Sequence, residues 1–344
     1  MQQANRKPEQ EEIDFVIAWV DGRDPAWQEE KHKYLLQYKE VSTVVDGGAY
    51  RYRDWDLLRF WFRAVEEYAP WVRKVHFLTC GQIPEWLNTQ HPKLCVVDHK
   101  DYIPAEYLPT FNSHTIELNL HRICGLAEQF VYFNDDMYLT QPVGPEDFFV
   151  NGLPKDVFAL DAIYCASGSA GNYNCNDVAI INDHFNKKKQ LKQHYAKWFQ
   201  LRYGKKKLYQ TMVLLPWRWF PGFFYAHLPS NFLKSTLKEV WEKAGGILDE
   251  TSRKKFRDST QVNQWVFKYW QLADGRFEPQ SVKTGRCFHL RDQGVEKLCE
   301  AIRQQKYAQI CINDTDQTTE FEKKKEEIRK AFEEILPNKS KYER

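Results

Sequence analysis

The segment IDFVIAWV at residues 13–20 constrains the fold more than any other stretch of the chain. It is a nearly continuous apolar run rich in β-branched residues, which suits a strand buried on both faces of a parallel sheet. It stops at DGRDP, a turn signal. KVHFLT, KLCVVD and FVYFNDDMYL repeat the strand pattern further along. Segments of helical period lie between them. In DWDLLRFWFRAVEEYAPW, Leu57, Leu58, Trp61, Val65 and Tyr68 form one stripe, opposed by Asp56, Arg59, Arg63, Glu66 and Glu67. Asp54 is its expected N-cap and Pro70 marks its exit. SHTIELNLHRICGLAEQ reads as a second helix, capped by Asn112 or Ser113, with Ile116, Leu120, Ile123, Cys124 and Ala127 on the apolar face. This alternation, sustained to about residue 140, predicts an α/β fold with a Rossmann-like, doubly wound, mostly parallel sheet. Ligands of such sheets bind beyond the carboxyl ends of the strands.

From about residue 150 the alternation fails. Residues 151–221 are basic and aromatic and read as an insertion subdomain within a single catalytic domain spanning 11–316. Residues 317–344 form a C-terminal amphipathic helix and tail, with Phe321, Ile328, Phe332 and Ile335 on one side.

Composition narrows the class. Hydrophobic content of 42% and charged content of 28% are those of an ordinary globular protein. A net charge of +2 gives no support to a nucleic-acid partner. Aromatic residues are in excess, with 12 Trp, 18 Tyr and 22 Phe, which suits sugar sites and membrane interfaces as well as a core. The polar start MQQANRKPEQEE lacks the apolar stretch of a signal peptide, and no apolar run reaches the roughly 18 residues of a membrane span. The eight cysteines form no C-x-x-C pair, and several lie in apolar runs such as VHFLTC and HRICGL. Reduced, buried thiols and a cytosolic protein without structural zinc are expected. The insertion is compatible with a peripheral contact at the inner face of the cell membrane, and the chain with a homo-oligomer.

Four constellations could carry chemistry. Asn134, Asp135 and Asp136 place hard oxygen donors at the end of a strand, where Mg²⁺ or Mn²⁺ could bridge them to a diphosphate. Neighbouring side chains of a regular strand point to opposite faces, so joint use requires the chain to leave the strand there. His114, Glu117 and His121 share one helix face, and Glu117 could orient His121 for proton transfer. Asp21 and Gly22 form a turn after the first strand, a common docking place for a nucleotide, although no G-x-G-x-x-G is present. His227, Arg257, and the oxygen-rich set Asn313, Asp314 and Asp316 are spread through the C-terminal half, with Arg257 suited to phosphate oxygens.

Taken in order, IDFVIAWVDGRDP, the A-P-W-V-R, G-Q-I-P-x-W-L, L-P-T-F-x-S, I-E-x-x-x-H-R-I and N-D-D elements, the FYAHLPSNFLKSTLKEVWE and FRDSTQVNQWVFKYW segments and ICINDTDQ resemble the four conserved blocks of the Stealth family. That family includes bacterial capsular-polysaccharide sugar-1-phosphate transferases and the catalytic subunit of the animal lysosomal-enzyme N-acetylglucosamine-1-phosphotransferase. The resemblance covers roughly residues 13–150 and 222–316.

The resemblance implies a fold similar to nucleotide-diphosphosugar transferases. It also implies transfer of hexose-1-phosphate or N-acetylhexosamine-1-phosphate from a UDP-sugar donor to an oligosaccharide or polysaccharide acceptor, with release of UMP. On this reading His227, His121, Asp136 and Arg257 are catalytic, His227 serving the chemical step and His121 positioning the acceptor. Asp21, Gly22, Arg51, Asp54, Glu117 and Asn134 bind substrate, and Asp135, Asp136, Asn313 and Asp314 hold Mg²⁺ or Mn²⁺. The competing expectations are a metal-dependent glycosyltransferase that releases UDP and a non-catalytic capsule-assembly scaffold at the membrane.

Overall fold

The computed structural model describes residues 12–39, 53–166, 171–290, 294–314 and 319–344. From the amino end come β1 (Ile13–Ala18), α1 (Pro25–Lys39), α2 (Leu58–Tyr68), β2 (Val75–Thr79), β3 (Leu94–Asp98), α3 (Ser113–Leu118), β4 (Gln129–Phe133) and β5 (Met137–Leu139). The middle adds β6 (Phe149–Val150), β7 (Leu153–Asp156), α4 (Gly171–His184), α5 (Lys187–Trp198) and α6 (Gly204–Leu214). The last part holds β8 (Ser230–Leu233), α7 (Lys234–Arg253), α8 (Trp265–Asp274), β9 (Glu278–Pro279), β10 (Gly285–His289), α9 (Gly294–Arg303), β11 (Gln309–Asn313) and α10 (Phe321–Ile335).

The central sheet runs β3-β2-β1-β4-β8. Its first four strands are parallel and β8 is antiparallel to β4. The fold is mixed α/β with a mostly parallel sheet, as the strand runs require. Alternate residues of β1 feed two cores. Phe15 and Ile17 pack with α2, α9 and α10, whereas Val16 faces the layer built from α7, α8 and the inserted elements. Both faces are therefore covered, and each fully buried aliphatic or aromatic side chain stabilises by roughly 1.5–3 kcal/mol.

One carboxylate interrupts the β1 run. Asp14 is fully buried and accepts hydrogen bonds from Arg73 Nε at 2.8 Å and the Ala127 amide at 2.8 Å, with His76 Nε2 at 3.0 Å. Burial works against its charge, but His76, Arg73 and the Ala127 amide together hold the carboxyl below its ordinary range.

The inserted segment shares the second core with the central sheet. Phe158 stacks on Trp198, and Phe223 stacks on Phe220 and on Tyr269 of α8. At the carboxyl end of the chain, Phe332 of α10 stacks on Phe60 of α2. The tail is pinned by Arg63, which donates to Glu343 Oε1 at 2.8 Å and Oε2 at 2.9 Å.

Several local expectations need correction. α2, the first helix expected from periodicity, begins at Leu58, and Asp54 does not cap it; its Oδ1 accepts instead from the Asp56 amide at 2.7 Å. The second helix does not run to residue 127. α3 stops at Leu118 because the Asn119 side chain turns back to donate to the Thr115 carbonyl at 2.8 Å, and a 3₁₀ turn over Leu120–Arg122 follows. α1, an unanticipated helix that follows the DGRDP turn, has its own start signal. Asp24 Oδ1 accepts from the Ala26 amide at 2.9 Å, and Pro25 takes the first helical position. The cysteines are not all reduced and buried: Cys165 and Cys175 form a disulfide and Cys124 is exposed. Cys165 lies outside the apolar runs that suggested burial, in an exposed loop ahead of α4.

Candidate active site

The centre of the site is a turn. β4 ends at Phe133, and Asn134, Asp135 and Asp136 lead into β5 through a turn closed by the Met137 amide donating to the Asn134 carbonyl at 3.1 Å. The chain thus leaves the strand where shared use of the two carboxylates demands it. β11 returns antiparallel to β5, with Cys311 opposite Met137, and the Ile312 amide donates to the Asp136 carbonyl at 2.8 Å. This pairing brings Asn313 and Asp314 beside the first acidic cluster.

Two further groups converge on the Asp136 carboxylate. Cys311 Sγ donates to Oδ2 at 3.2 Å, and His227 Nε2 lies 3.7 Å from the same oxygen. His227 occupies the left-handed region at φ 49°, which costs a non-glycine residue about 1 kcal/mol, and its ring stacks on Trp265 at 6.0 Å. Burial lowers the proton affinity of His227, but the hydrogen bond and charge of Asp136 outweigh it and leave the imidazole above its ordinary value. Asp136 Oδ1 is buried without a hydrogen-bond partner.

The opposite wall comes from α3. Asn112 caps this helix, its Oδ1 accepting from the His114 amide at 3.1 Å. Glu117 is buried rather than solvated and accepts from the Gln264 amide at 3.4 Å. Burial pushes its carboxyl up to about 7, with Arg257 pulling the other way. Arg257 donates to Ser113 Oγ, which fixes the guanidinium over the start of the helix. Asp135 opens onto the cleft, yet the enclosing walls, then the charges of Asp136 and Asp54, push its carboxyl up to about 7.

These walls bound a cleft of about 620 Å³, a size that accommodates a small organic ligand. Asp54, Glu117, Asn134, Asp135, Asp136, His227, Arg257, Asn313 and Asp314 all line it. His121 does not. The helix break at Asn119 rotates it out of register with Glu117, its ring lies 5.7 Å from Trp241, and burial depresses its proton affinity to about 3. Asp21 and Gly22 stand outside the lining as well. Asp21 instead contacts Arg23 Nε at 3.5 Å, and Arg23 Nη2 donates to Asp54 at 2.9 Å, so the turn supports a wall of the cleft. Arg51 and Asp316 lie outside the described residues. Arg53, two positions beyond Arg51, brings Nε to 3.7 Å from Asp314.

Other lining residues escaped sequence reasoning. Trp19, Trp27, Phe111, Tyr173, Tyr225 and Trp265 supply aromatic surface, signalled only by the excess of such residues. Cys311, which lies behind the lining and contacts Asp136, had a readable signal, since it shares one face of β11 with Asn313 at spacing i, i+2.

Comparison with known proteins decides the lineage. Residues 11–39 match Stealth protein CR1, conserved region 1, and residues 51–156 match Stealth protein CR2, conserved region 2. A capsular polysaccharide phosphotransferase, WcwK of Streptococcus pneumoniae, is 40% identical over 97% of this chain and 98% of its own. This chain belongs to the Stealth family. The receptor polysaccharide phosphotransferase WefC of Streptococcus gordonii is 41% identical over 97% of this chain and 99% of its own. The exopolysaccharide phosphotransferase cps2G of Lactiplantibacillus plantarum is 39% identical over 97% and 96%. The Stealth chain described here is accordingly an enzyme, a phosphotransferase. Among solved structures, the galactosyltransferase LgtC in complex with donor and acceptor sugar analogues aligns over 92% of this chain and 95% of its own, with a TM-score of 0.39 and 9% identity, too slight a likeness to carry an argument. Asp54, Glu117 and the Asn134–Asp136 turn fall in the second Stealth region, whereas His227, Arg257, Asn313 and Asp314 lie beyond both matched regions and join the site through the fold.

Proposed function

We propose that this phosphotransferase takes hexose-1-phosphate or N-acetylhexosamine-1-phosphate from a UDP-sugar and joins it to a hydroxyl of a capsular oligosaccharide or polysaccharide. The acceptor oxygen bonds to the phosphorus that bears the sugar. The P–O bond to the bridging oxygen breaks, and UMP leaves with the electron pair. One observation carries this reading: carboxylates, amides, an imidazole and a guanidinium from opposite ends of the sequence converge on a single cleft.

The donor set fits a divalent cation. Asp136 presents a buried oxygen without a hydrogen-bond partner, flanked in the cleft by Asp135, Asn313 and Asp314, and hard oxygen donors of this kind suit Mg²⁺ or Mn²⁺. Cys311 is the wrong donor for such an ion. Burial pushes its thiol well above the ordinary range, so it stays protonated and donates to Asp136. When bound, the ion neutralises diphosphate charge.

Protein side chains divide the remaining work. Glu117, whose proton affinity lies near neutrality, takes the proton of the attacking hydroxyl. His227, whose proton affinity Asp136 raises, stabilises charge on the oxygens of the transferring phosphoryl group, and Arg257 holds the diphosphate. The reading is tested by the nucleotide released when the enzyme meets UDP-sugars and a capsular oligosaccharide. UMP with a phosphodiester product is expected; UDP with a glycosidic product transfers the case to a sugar-only transferase.

A further inference from the structure

Between His184 and Lys238 the chain carries twelve Lys and Arg and no Asp or Glu, so a protein of net charge +2 keeps a strongly cationic segment on an otherwise acidic chain. Folding places this charge beside apolar side chains that a water-facing surface ordinarily hides. α5 is kinked at His194; Lys188 and Lys192 are exposed one turn apart before the kink, and Tyr195 and Phe199 are exposed after it. On α6 the exposed stripe is Lys205, Tyr209, Met212 and Val213, while Thr211 and Leu214 are buried on the other side. Trp217 and Trp219 follow at 59% and 51% exposure, with Arg218 lying 4.9 Å over the Trp219 ring. Eight of the twelve large hydrophobic side chains exposed among the described residues fall between Tyr195 and Trp219.

We propose that this face of α5, α6 and residues 215–219 is a docking surface for an anionic lipid bilayer. Indole and phenol rings seat at the headgroup level, lysines pair with lipid phosphates, and aliphatic side chains enter the acyl boundary. Single-stranded nucleic acid could use the cations and the rings. It has no use for Leu201, Met212 and Val213, which are 89%, 52% and 54% exposed. No helix among the described residues is long and apolar enough to cross a membrane, so the attachment lies in the interface plane.

The surface adjoins the cleft in sequence. Six residues carry the chain from Trp219 to Tyr225, a span of at most about 20 Å, and Tyr225 lines the cleft with Tyr173 of α4. A bilayer on this face brings a glycan carried on a lipid within reach of the site. Docking itself is independent of the nucleotide released; only the nature of the acceptor rests on the proposed reaction.

Co-sedimentation of the full chain with phosphatidylcholine vesicles, with or without about one-third phosphatidylglycerol, tests the surface. Partitioning is expected to be at least about tenfold higher onto the anionic vesicles and to fall in high salt. Trp217→Ser with Trp219→Ser, and separately Lys188→Glu, Lys192→Glu, Lys205→Glu and Lys206→Glu together, should each lower it about tenfold or more. The thermal midpoint and turnover of a soluble acceptor should not move. Absence of binding, equal binding to both vesicles, undiminished binding of the variants, or capture by single-stranded oligonucleotide without capture by vesicles each overturns the proposal. Because partitioning is read without turnover, it stands or falls separately from the reaction.

Discussion

His227 Nε2 and Asp136 Oδ2 stand 3.7 Å apart at the cleft, one contributed by a loop ahead of β8 and the other by the turn after β4. The pairing raises the proton affinity of the imidazole against the effect of burial, so the cation persists to higher pH than a free histidine would allow. Asp136 is thereby both a candidate metal ligand and the group that raises the proton affinity of His227.

Removal of this imidazole should strike the chemical step. His227→Ala is expected to lower kcat by about two orders of magnitude or more with little change in donor affinity. Steady-state kinetics with donor varied at saturating acceptor separate the two effects. A rise in donor KM with kcat intact would assign His227 to ground-state binding.

Chelation provides an independent measurement. EDTA should abolish turnover, and added Mg²⁺ or Mn²⁺ should restore it. Asp136→Ala or Asp135→Ala should not be rescued by either ion, since the donor set then loses one of its carboxylates. Binding of Mn²⁺ followed by paramagnetic resonance reports the site without turnover. Full activity in chelator would remove the metal from the scheme.

Glu117 makes a pH-dependent prediction whose sign is fixed by its burial. Its carboxyl rises from 4.5 to about 7 on folding, so between those values the native state binds the proton more tightly than the unfolded chain. The stability it contributes is present at acid pH and is lost as pH rises through about 7, a change on the order of 3 kcal/mol. Glu117→Gln should flatten that part of the profile in thermal unfolding between pH 5 and pH 8, estimates of about 2 °C per kcal/mol being ordinary for a chain of this size. The same substitution should remove the base and depress kcat. Equal slopes in the two proteins would show that Glu117 titrates normally.

Asp14 is the structural counterpart. It is fully buried and is held by Arg73, His76 and the Ala127 amide, so Asp14→Ala leaves the buried His76 ring and the Ala127 amide without their acceptor and removes the carboxylate from the half-buried Arg73 guanidinium. Destabilisation of about 3–5 kcal/mol is expected in urea unfolding, with no direct effect on the cleft. A loss below about 1 kcal/mol would mean that water replaces the carboxylate.

His121 now predicts little. Packed near Trp241 and absent from the cleft lining, it should tolerate Ala with kcat and acceptor KM near those of the unmodified enzyme. A selective rise in acceptor KM would restore the positioning role that the helix periodicity implied.

The strands were legible in the sequence because their signal is local. A continuous apolar run can be buried on both faces only within a covered sheet, and β1, β2 and β4 carry that signal, while β3 at the sheet edge is only half-buried. The Asn134–Asp136 turn was equally legible, because two adjacent carboxylates can act together only where a strand ends. The break at Asn119 was not, since helical periodicity extends through it, while the Asn119 side chain bonds back to the Thr115 carbonyl and its backbone amide turns to Glu117. Tertiary structure alone decided which distant groups meet. The return of β11 along β5 sets Cys311, Asn313 and Asp314 beside Asp136, and the loop before β8 turns His227 onto the same carboxylate. Such meetings depend on strand pairing and core packing between segments remote in the chain, for which no short-range dihedral preference or residue spacing exists.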